Sequence, residues 1–346
     1  MSFFSYQNKR RIKTIVMIVL AIVVIVPLLF LCRCLCLAPH LVYTPDGVVL
    51  DYDLDANKQI QTIVPVWDES NVTVIIDEPV SQTSTSVDMP LQILSGSYIT
   101  TQMLLDMDSV QEAVAALPTM PDTVMLDLKS IYGNFYYSSD IHGAVTSSAD
   151  IPAVNTLIKQ LSSHRDLYLI ARVASLSDTN FALEHQECGL PLRSGALWMS
   201  SAGCYWLDPM NEDVQEYLVA IATELAGLGF DEIVFDDFRI PTNTEIIYNN
   251  ELTREKAAAT AAEQIRERLQ GVPIRVSFNS SNPGVAKHSD RVYLVTEDGS
   301  AVAGLVESVA DCVDDPAAEI VFLTPSRDTR FDGYGILRPM IEPREE

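Results

Sequence analysis

From about residue 92 the sequence alternates short apolar runs with segments of helical periodicity, and this alternation constrains the fold more than any other feature. Apolar residues that recur at three- and four-residue steps indicate amphipathic helices, whereas short runs rich in β-branched and aromatic residues indicate strands. Helices are predicted over residues 106–117, 149–163, 211–228 and 251–270. Eight strand-like runs are present: SYITTQML, TVMLDL, LYLIARVASL, EIVFD, PIRVSF, RVYLVTE, EIVFLTP and YGILRP.

Repeated strand–helix units imply parallel strands joined by right-handed crossovers. Eight strands in about 250 residues favour an α/β fold of the (β/α)8 TIM-like barrel type over residues 91–346. Residues 279–290 and 325–333 are too short to hold full helices, so the second half of the barrel is predicted to be abbreviated. A doubly wound open sheet is the alternative, but no glycine-rich nucleotide loop follows any of the strands.

The N-terminal region has the pattern of a membrane anchor. Eighteen uncharged residues run from Ile15 to Cys32, which as a helix would span roughly 27 Å, close to the thickness of a hydrocarbon core. Four basic residues precede this run and only Arg33 follows it, so the positive-inside rule predicts a cytoplasmic tail over 1–13 and an extracellular C-terminal domain. We therefore predict one transmembrane helix over 14–37 in the cell membrane; a cleaved signal peptide is the alternative.

Residues 38–90 are predicted to form an extracellular stalk with β-rich segments and a linker. VYTPDGVVLDY places Asp46 and Gly47 between two β-rich runs, which is a hairpin signal, and VTVIIDEP is a further strand candidate. The linker is predicted at 79–90, where a Ser/Thr-rich segment is bracketed by prolines.

Charge and cysteine content limit the partners of the exported part. Residues 41–346 carry 18 basic and 47 acidic side chains, a net charge of −29, which would repel nucleic acid, so no nucleic-acid partner is expected. An extracellular location permits disulfides. Cys188 and Cys204 flank one long loop, and we predict a disulfide between them; two free buried thiols are the alternative.

The segment GFDEIVFDDFRIP places an acidic pair where a strand ends. Ile233 to Phe235 are predicted to form a buried strand, with Asp236 at its carboxyl end, where barrels of this kind assemble their active sites. Asp236 is therefore the first candidate for a nucleophile or base, against the alternative of a loop-capping aspartate. Strand alternation turns Asp237 elsewhere, so Asp237 is expected to matter much less. Asp231 and Glu232, at the amino end of the strand, are expected to be structural.

Polar side chains also follow the other predicted strands. These are Asp127 and Lys129, Arg172, Asn279 and Glu297. Because the carboxyl ends of parallel strands meet at one face of a barrel, these side chains are expected to converge on a substrate pocket. Glu297 is the candidate for the catalytic acid on its strand-tip position alone, and a salt-bridge network that closes the barrel is the structural alternative.

Aromatic residues and an arginine lie near these strand ends. Trp198 and Trp206 belong to a long loop after the third strand, and their ring faces would suit the C–H faces of sugars; packing of the loop is the alternative. Arg239 follows Asp236 by three residues and could either pair with it or bind substrate.

These segments together resemble a known family, mainly bacterial, called the putative glycosyl hydrolase domain family. GFDEIVFDDFRIP is similar to that family's GFDEIQFDYIRFP signature, and VMLDLKSIYGNFYY, LIARVASLSDTNFA and the Trp-rich loop with its Asp-Pro turn resemble the family's neighbouring segments. The resemblance covers about residues 95–282. This chain has Asn279 where the family usually has aspartate, and the family's tyrosine-rich segment near the sixth or seventh strand is not recognisable.

The resemblance implies a glycoside hydrolase that acts on a polysaccharide or cell-surface glycan with a pair of carboxylates. A glycan-binding barrel without catalysis is the first alternative, favoured by Asn279, and a cell-surface protein without a ligand is the second. No motif indicates a metal, nucleotide or flavin, so no cofactor is expected.

Overall fold

The structure is a computed structural model that describes residues 41–44, 47–50, 91–117, 121–248 and 251–341. The chain divides into two compact units, Met1–Val80 and Ser81–Glu346. In the first unit the described residues form one antiparallel hairpin of β1 (Leu41–Thr44) and β2 (Gly47–Leu50). The predicted hairpin is therefore present, with Gly47 as the first residue of its second strand.

The second unit contains a closed barrel of eight parallel strands, as the sequence predicts. The described strands of this unit are the eight of the barrel and two short ones. They are β3 (Ser95–Ile99), β4 (Thr123–Lys129), the short β5 (Asn134–Phe135) and β6 (Val145–Thr146), β7 (Tyr168–Ala174), β8 (Glu232–Asp236), β9 (Arg275–Asn279), β10 (Val292–Val295), β11 (Ile320–Leu323) and β12 (Gly335–Pro339). The barrel order is β3-β4-β7-β8-β9-β10-β11-β12, and the pairing of β12 with β3 closes the ring. The short β5 and β6 extend from the end of β4.

Apart from the short α3 (Thr179–Glu184), the described helices of the first half have 10 to 16 residues and those of the second half 4 to 8, so the second half is abbreviated as predicted. The described helices are α1 (Met107–Ala116), α2 (Ile151–Ser162), α3 (Thr179–Glu184), α4 (Glu212–Gly227), α5 (Arg254–Arg268), α6 (Pro283–Ala286), α7 (Val302–Val309) and α8 (Pro316–Glu319). Asparagine or aspartate side chains cap the N-termini of most of these helices, and Asn211 accepts a hydrogen bond from the backbone of the first turn of α4.

Alternation along each strand separates the barrel interior from the helix layer. One buried cluster fills the interior and includes Met125, Ile170, Val234, Tyr293 and Val321. The residues on either side of Val234, Ile233 and Phe235, belong instead to the large core between strands and helices. Asp236 therefore shares the interior-facing side of β8 with Val234 and emerges at the barrel mouth, in the register predicted from the sequence.

The loop between β7 and α4 folds over one side of the barrel mouth. Isolated β-bridges join Ser177 to Trp206 and Met199 to Tyr205 within this loop. Cys188 and Cys204 are both free thiols and buried, so the bridge predicted between them is not present. The Sγ of Cys204 instead lies 3.1 Å from the hydroxyl oxygen of Ser200.

The predicted membrane anchor over 14–37 and the predicted linker over 79–90 both lie outside the described residues. Within the described part of the chain, no helix combines the length and the apolar character needed to cross a membrane.

Candidate functional site at the barrel mouth

Asp236 ends β8 and its carboxylate is partly open to solvent. Asn279, at the end of the neighbouring β9, donates a short hydrogen bond from Nδ2 to Oδ1 of Asp236, and the Asp237 amide donates to the same oxygen at 3.1 Å. The other oxygen, Oδ2, lies 3.7 Å from a terminal nitrogen of Arg172, and the side chain retains 27% of its exposure. Donors and one positive charge thus hold this carboxylate while leaving it accessible.

Arg172, on β7, links the carboxylates of two neighbouring strands. Its Nε and one terminal nitrogen donate to the two oxygens of Asp127 at 2.6 and 2.5 Å, and its other terminal nitrogen faces Asp236. Although burial lowers the pKa of Arg172, the charges of Asp127 and Asp236 outweigh burial and raise it. Because both carboxylates contact one guanidinium, they lie within about 10 Å of each other, the separation range of catalytic carboxylate pairs.

Asp127 is less accessible than Asp236. Its side chain is 10% exposed and both of its oxygens are bonded to Arg172. Burial raises the pKa of Asp127, and the charge of Asp236 adds to this rise, whereas the ion pair and hydrogen bonds from Arg172 oppose it. Asp127 therefore serves to hold Arg172 in place rather than to face the open mouth.

Glu297 lies just beyond the end of β10 and is exposed. Burial raises the pKa of the Tyr98 hydroxyl on β3, and the charges of Asp127 and Glu297 add to this rise. The Glu297 charge therefore acts within the same mouth. Its carboxylate makes no hydrogen bond or ion pair with any residue that the structure describes.

Asp237 departs from the regular strand geometry. Its φ of 55° is left-handed, and it is the one non-glycine residue with positive φ in the described ranges. One carboxylate oxygen, Oδ2, accepts a hydrogen bond from the hydroxyl of Ser177 at 2.9 Å. Burial raises the pKa of Asp237, and the charge of Asp236 adds to this rise.

Asp237 and Asn279 line one cavity beside the strand ends. This cavity has a volume of about 540 Å³, and its wall also includes Arg239, Ser280 and Arg254. Arg254 donates to the backbone oxygens of Pro241, Asn243 and Ile246, which fixes the loop after β8. The cavity thus opens between the loops that follow β8 and β9.

A second cavity, of about 530 Å³, lies on the other side of Arg239. Its wall includes Trp198, Trp206 and Arg239. The two indole rings meet edge to face with centroids 6.2 Å apart, and the Arg239 guanidinium lies 5.0 Å from the Trp206 ring centroid. Arg239 forms no ion pair with Asp236; it stacks on Trp206 and lines both cavities.

Lys129 is not brought to the mouth with the other predicted site residues. Its side chain has no exposed surface; the ammonium contacts Asp178 at 2.7 Å and donates to the backbone oxygen of Ala174 at 2.7 Å. A register shift between Asp127 and Lys129 places Lys129 opposite Val173, a residue of the helix-side core. This bulge turns Lys129 away from the barrel interior.

Asp178 is a buried residue that the sequence reasoning missed. It accepts hydrogen bonds from the Tyr217 hydroxyl at 2.9 Å and from the Phe181 amide at 2.8 Å, in addition to its ion pair with Lys129. Its position before Thr179, at the start of α3, is a helix-capping signal that the sequence contains. Its pairing with Lys129 is a long-range contact that the local sequence does not contain.

The opposite end of the barrel holds a buried polar network that links several strands. Glu232 is fully buried and accepts hydrogen bonds from Arg291 at 2.6 Å, Tyr168 at 2.8 Å and Ser277 at 2.6 Å. These partners come from β7, β9 and the residue before β10. Glu232 therefore joins strands across the interior, far along β8 from Asp236.

One group of side chains in the described part of the chain could hold a metal ion. Glu187, Cys188 and Asp213 offer ligand atoms within 4.8 Å of one another. Burial raises the pKa of the Cys188 thiol to about 11, and the charges of Glu187 and Asp213 add to this rise. The thiolate that a metal ion would need is disfavoured there, and this group lies at the start of α4 rather than at the strand ends.

The geometry defines a class: a closed β/α barrel whose mouth gathers carboxylates around an arginine, with two cavities alongside. The chain belongs to the family described as "putative glycosyl hydrolase domain", whose model matches residues 96–288. No curated protein matches the sequence.

Solved structures share the barrel. An α-galactosidase of the GH36 type from Geobacillus stearothermophilus is similar with a TM-score of 0.51 and 14% identity, over 74% of this chain and 40% of that one. An α-galactosidase from Lactobacillus brevis is similar with a TM-score of 0.50 and 10% identity, over 76% of this chain and 39% of that one. This chain thus spans about two fifths of the length of either enzyme. At these identities the similarity shows a shared fold. A hypothetical protein from Ruminiclostridium thermocellum matches at 26% identity and a TM-score of 0.46, over 53% of this chain and 96% of that one.

Proposed function

We propose that this protein is a glycoside hydrolase that acts on a polysaccharide or cell-surface glycan. The main support for the proposal is the Asp236 carboxylate at the end of β8, which is partly exposed, accepts a hydrogen bond from Asn279 and faces Arg172. The chain also belongs to the family described as "putative glycosyl hydrolase domain". Retaining and inverting glycosidases both use a pair of carboxyl groups, one as proton donor and the other as nucleophile or base.

Asp236 is the candidate for the nucleophile or base. Its bond from Asn279 and its position near Arg172 would orient the carboxylate toward the anomeric carbon of a bound sugar, or toward a water molecule beside that carbon. Two carboxyl groups are candidates for the proton donor: Glu297, which is exposed beyond β10, and Asp237, which faces the cavity lined by Asn279.

The two cavities would accommodate sugar rings on either side of the reaction centre. Trp198 lines one of them with a partly exposed ring, and sugars present C–H faces that stack on indole. Arg239 lines both cavities and can donate to sugar hydroxyl groups through its fixed fork of N–H groups. A groove with sugar sites on both sides of Arg239 suits a glycan chain.

The test is hydrolysis by detergent-solubilised full-length protein. Substrates are a panel of α- and β-linked 4-nitrophenyl glycosides together with soluble polysaccharides assayed for new reducing ends. We expect release from at least one substrate and a loss of about 10³-fold or more on Asp236→Asn, with an unchanged thermal melting curve. Activity that survives Asp236→Asn unchanged would remove Asp236 from the reaction.

A second candidate function is glycan binding without catalysis. Asn279 favours it, because the family usually carries aspartate there and an amide cannot replace a carboxylate in proton transfer. Binding on a glycan array without hydrolysis of any array glycan would support this second function over the first.

We also propose that the barrel is extracellular and anchored by residues 14–37, with a tail over 1–13 and a stalk over 38–90. The proposal rests on the apolar run from Ile15 to Cys32 and on the basic residues that precede it. Protease added to intact cells should remove the barrel, because the barrel lies outside. Full protection of the barrel in cells with an intact membrane, with digestion after lysis, would contradict this topology.

A further inference from the structure

Asp236 and Asp237 are adjacent in sequence but their carboxyl groups have different surroundings. Both oxygens of Asp236 face donors or positive charge: Asn279 and the Asp237 amide on Oδ1, Arg172 on Oδ2. Asp237 accepts one hydrogen bond, from Ser177 to Oδ2. Its Oδ1 has no hydrogen-bond partner among the described residues, so this oxygen is available to carry a proton.

The carboxyl groups of Asp236 and Asp237 are both linked to the same cavity. Asn279 bonds to Asp236 and also lines the 540 Å³ cavity that Asp237 lines. A ligand in that cavity would therefore contact Asp237 while it lies against the amide that holds Asp236. Consecutive Cα atoms are about 3.8 Å apart, and the carboxyl groups of two neighbouring residues that point apart lie several ångströms further from each other. Glycosidase carboxylate pairs span about 5 to 10 Å, a range that two such side chains can reach.

The left-handed backbone at Asp237 is what directs its side chain out of the strand alternation. A non-glycine residue at positive φ is uncommon, and such residues concentrate at functional sites. Two backbone hydrogen bonds hold this conformation: the Arg239 amide donates to the Asp237 carbonyl at 2.9 Å, and the Ser175 amide donates to the Asp236 carbonyl at 3.0 Å. Asp237 is thus held beside the ends of β7 and β8 at the proposed reaction centre.

Aspartate suits the backbone at position 237. Asp and Asn tolerate left-handed backbone better than other non-glycine residues, and Asp237 has a φ of 55°. The mouth can therefore carry a second carboxyl group at this position.

The surroundings of Asp237 favour its protonated form. Burial raises its pKa, and the charge of Asp236 adds to this rise, whereas the Ser177 hydrogen bond and the charges of Arg239 and Arg172 oppose it. Arg254 and Glu255 complete the charged wall of the cavity. A proton donor must hold its proton near the working pH, which a raised pKa assists.

Glu297 meets these requirements less well. It is exposed and makes no hydrogen bond or ion pair with a described residue, so nothing fixes its carboxyl group toward a substrate. A proton donor has to lie within hydrogen-bond reach of the glycosidic oxygen in a fixed pose. Ser177, which is 1% exposed, supplies such fixation to Asp237.

We propose that Asp237 is the proton donor of this site and Asp236 the nucleophile or base, an assignment that rests on the glycoside hydrolase function proposed above. The Asp237 carboxylic acid transfers its proton to the glycosidic oxygen while the bond from that oxygen to the anomeric carbon breaks. The electron pair of that bond leaves with the oxygen, as an alcohol. Asp236 either bonds to the anomeric carbon or takes a proton from the water that does so; in the first case Asp237 then deprotonates the water that releases the sugar.

The experiment compares leaving groups. The probes are the 4-nitrophenyl and 2,4-dinitrophenyl glycosides of the sugar that the full-length protein cleaves, and an oligosaccharide of the same linkage. The variants are Asp236→Asn, Asp237→Asn and Glu297→Gln, with Asp166→Asn as the control because Asp166 is an exposed aspartate at the opposite end of the barrel. Asparagine retains the tolerance for left-handed backbone at position 237.

Asp237→Asn should lose about 10²–10⁴-fold on the oligosaccharide and less than about tenfold on the dinitrophenyl glycoside, since that leaving group departs without a proton. Its pH profile should lose the alkaline limb. Asp236→Asn should lose activity on both substrates, and Asp166→Asn on neither. Equal losses on both substrates by Asp237→Asn, no loss at all, or the same leaving-group pattern in Glu297→Gln would overturn the assignment.

A second variant keeps the test decisive if Asp237→Asn fails to fold. Ser177→Ala lacks the hydroxyl that donates a hydrogen bond to Asp237, and this hydrogen bond lowers the pKa of Asp237. The protonated acid then persists to higher pH, so the alkaline limb should move upward; a limb that stays in place would overturn the assignment. A wild-type protein that cleaves none of the probes overturns the proposed function, and the assignment falls with it.

Discussion

Arg172 donates to both carboxylate oxygens of Asp127 across the β4–β7 pair, at 2.6 and 2.5 Å, and neither side chain is more than 15% exposed. This bidentate pair sets the position of the one guanidinium nitrogen that faces Asp236 at 3.7 Å. The positive charge at the mouth therefore depends on a residue that does not itself line the open surface.

Asp127→Asn should lower the free energy of unfolding by about 3–5 kcal/mol, because a buried arginine loses its paired charge. Urea denaturation of the variant and of the wild type measures this difference. The double variant Asp127→Asn with Arg172→Met should recover part of the loss, since no buried charge remains. A single variant as stable as the wild type would mean that Asp236 alone compensates Arg172.

The stability of a Glu232→Gln variant tests the polar network at the opposite end of the barrel. Glu232→Gln should destabilise by about 3 kcal/mol, because Arg291 is 3% exposed and loses its charged partner. Glu187→Gln is the matched control: Glu187 is 69% exposed in a 3.8 Å contact with His185, and its loss should change stability by less than about 0.5 kcal/mol.

Activity per folded molecule distinguishes the structural role of Glu232 at one end of the barrel from the catalytic role of Asp236 at the other. Glu232→Gln should retain the specific activity of the wild type at a temperature where both are folded, since its network lies at the amino end of β8. Asp236→Asn should show the reverse, with stability kept and activity lost. An inactive but fully folded Glu232→Gln protein would contradict a purely structural role for Glu232.

Gly96 is required by the close approach of β3 and β4. A Cβ at this position would lie 2.0 Å from the backbone oxygen of Thr123, so Gly96→Ala should destabilise by at least about 3 kcal/mol or prevent folding. Gly304, inside α7, has nothing within 4 Å of its would-be Cβ. Gly304→Ala should therefore stabilise by about 0.5–1 kcal/mol through helix propensity. Urea midpoints for the two variants should move in opposite directions.

The barrel was predictable because its signals are local. The strand-like runs and the helical periodicity of residues such as Val214, Leu218 and Ile221 depend on neighbours along the chain. The position of Asp236 follows from the two-residue period of a strand. Val234 faces the barrel interior, so Asp236, two residues later, emerges on the same side.

The details that could not be predicted depend on irregular backbone or distant contacts. The bulge that turns Lys129 out of the barrel interior and toward Asp178 interrupts the two-residue period without a local sequence signal. Arg239 stacks on Trp206, a residue 33 positions earlier in the sequence, rather than pairing with nearby Asp236. The Asp237 side chain, on a backbone with left-handed φ, likewise accepts a hydrogen bond from a distant residue, Ser177 in the loop after β7.

Trp198 offers a test of the cavity on the far side of Arg239. Trp198→Ala should raise KM for an oligosaccharide by about tenfold and leave kcat nearly unchanged, because stacking on the indole contributes to substrate and transition state alike. The variant should fold, since Trp198 is only partly buried, whereas Trp206 is 4% exposed and its truncation would open the core. Met199→Ala is the control: Met199 lines the same cavity at 48% exposure but presents no ring for stacking, so its KM should rise less. Equal KM values for Trp198→Ala and wild type would place the sugar outside this cavity, and an equal rise in both variants would mean that general apolar contact rather than stacking binds the glycan there.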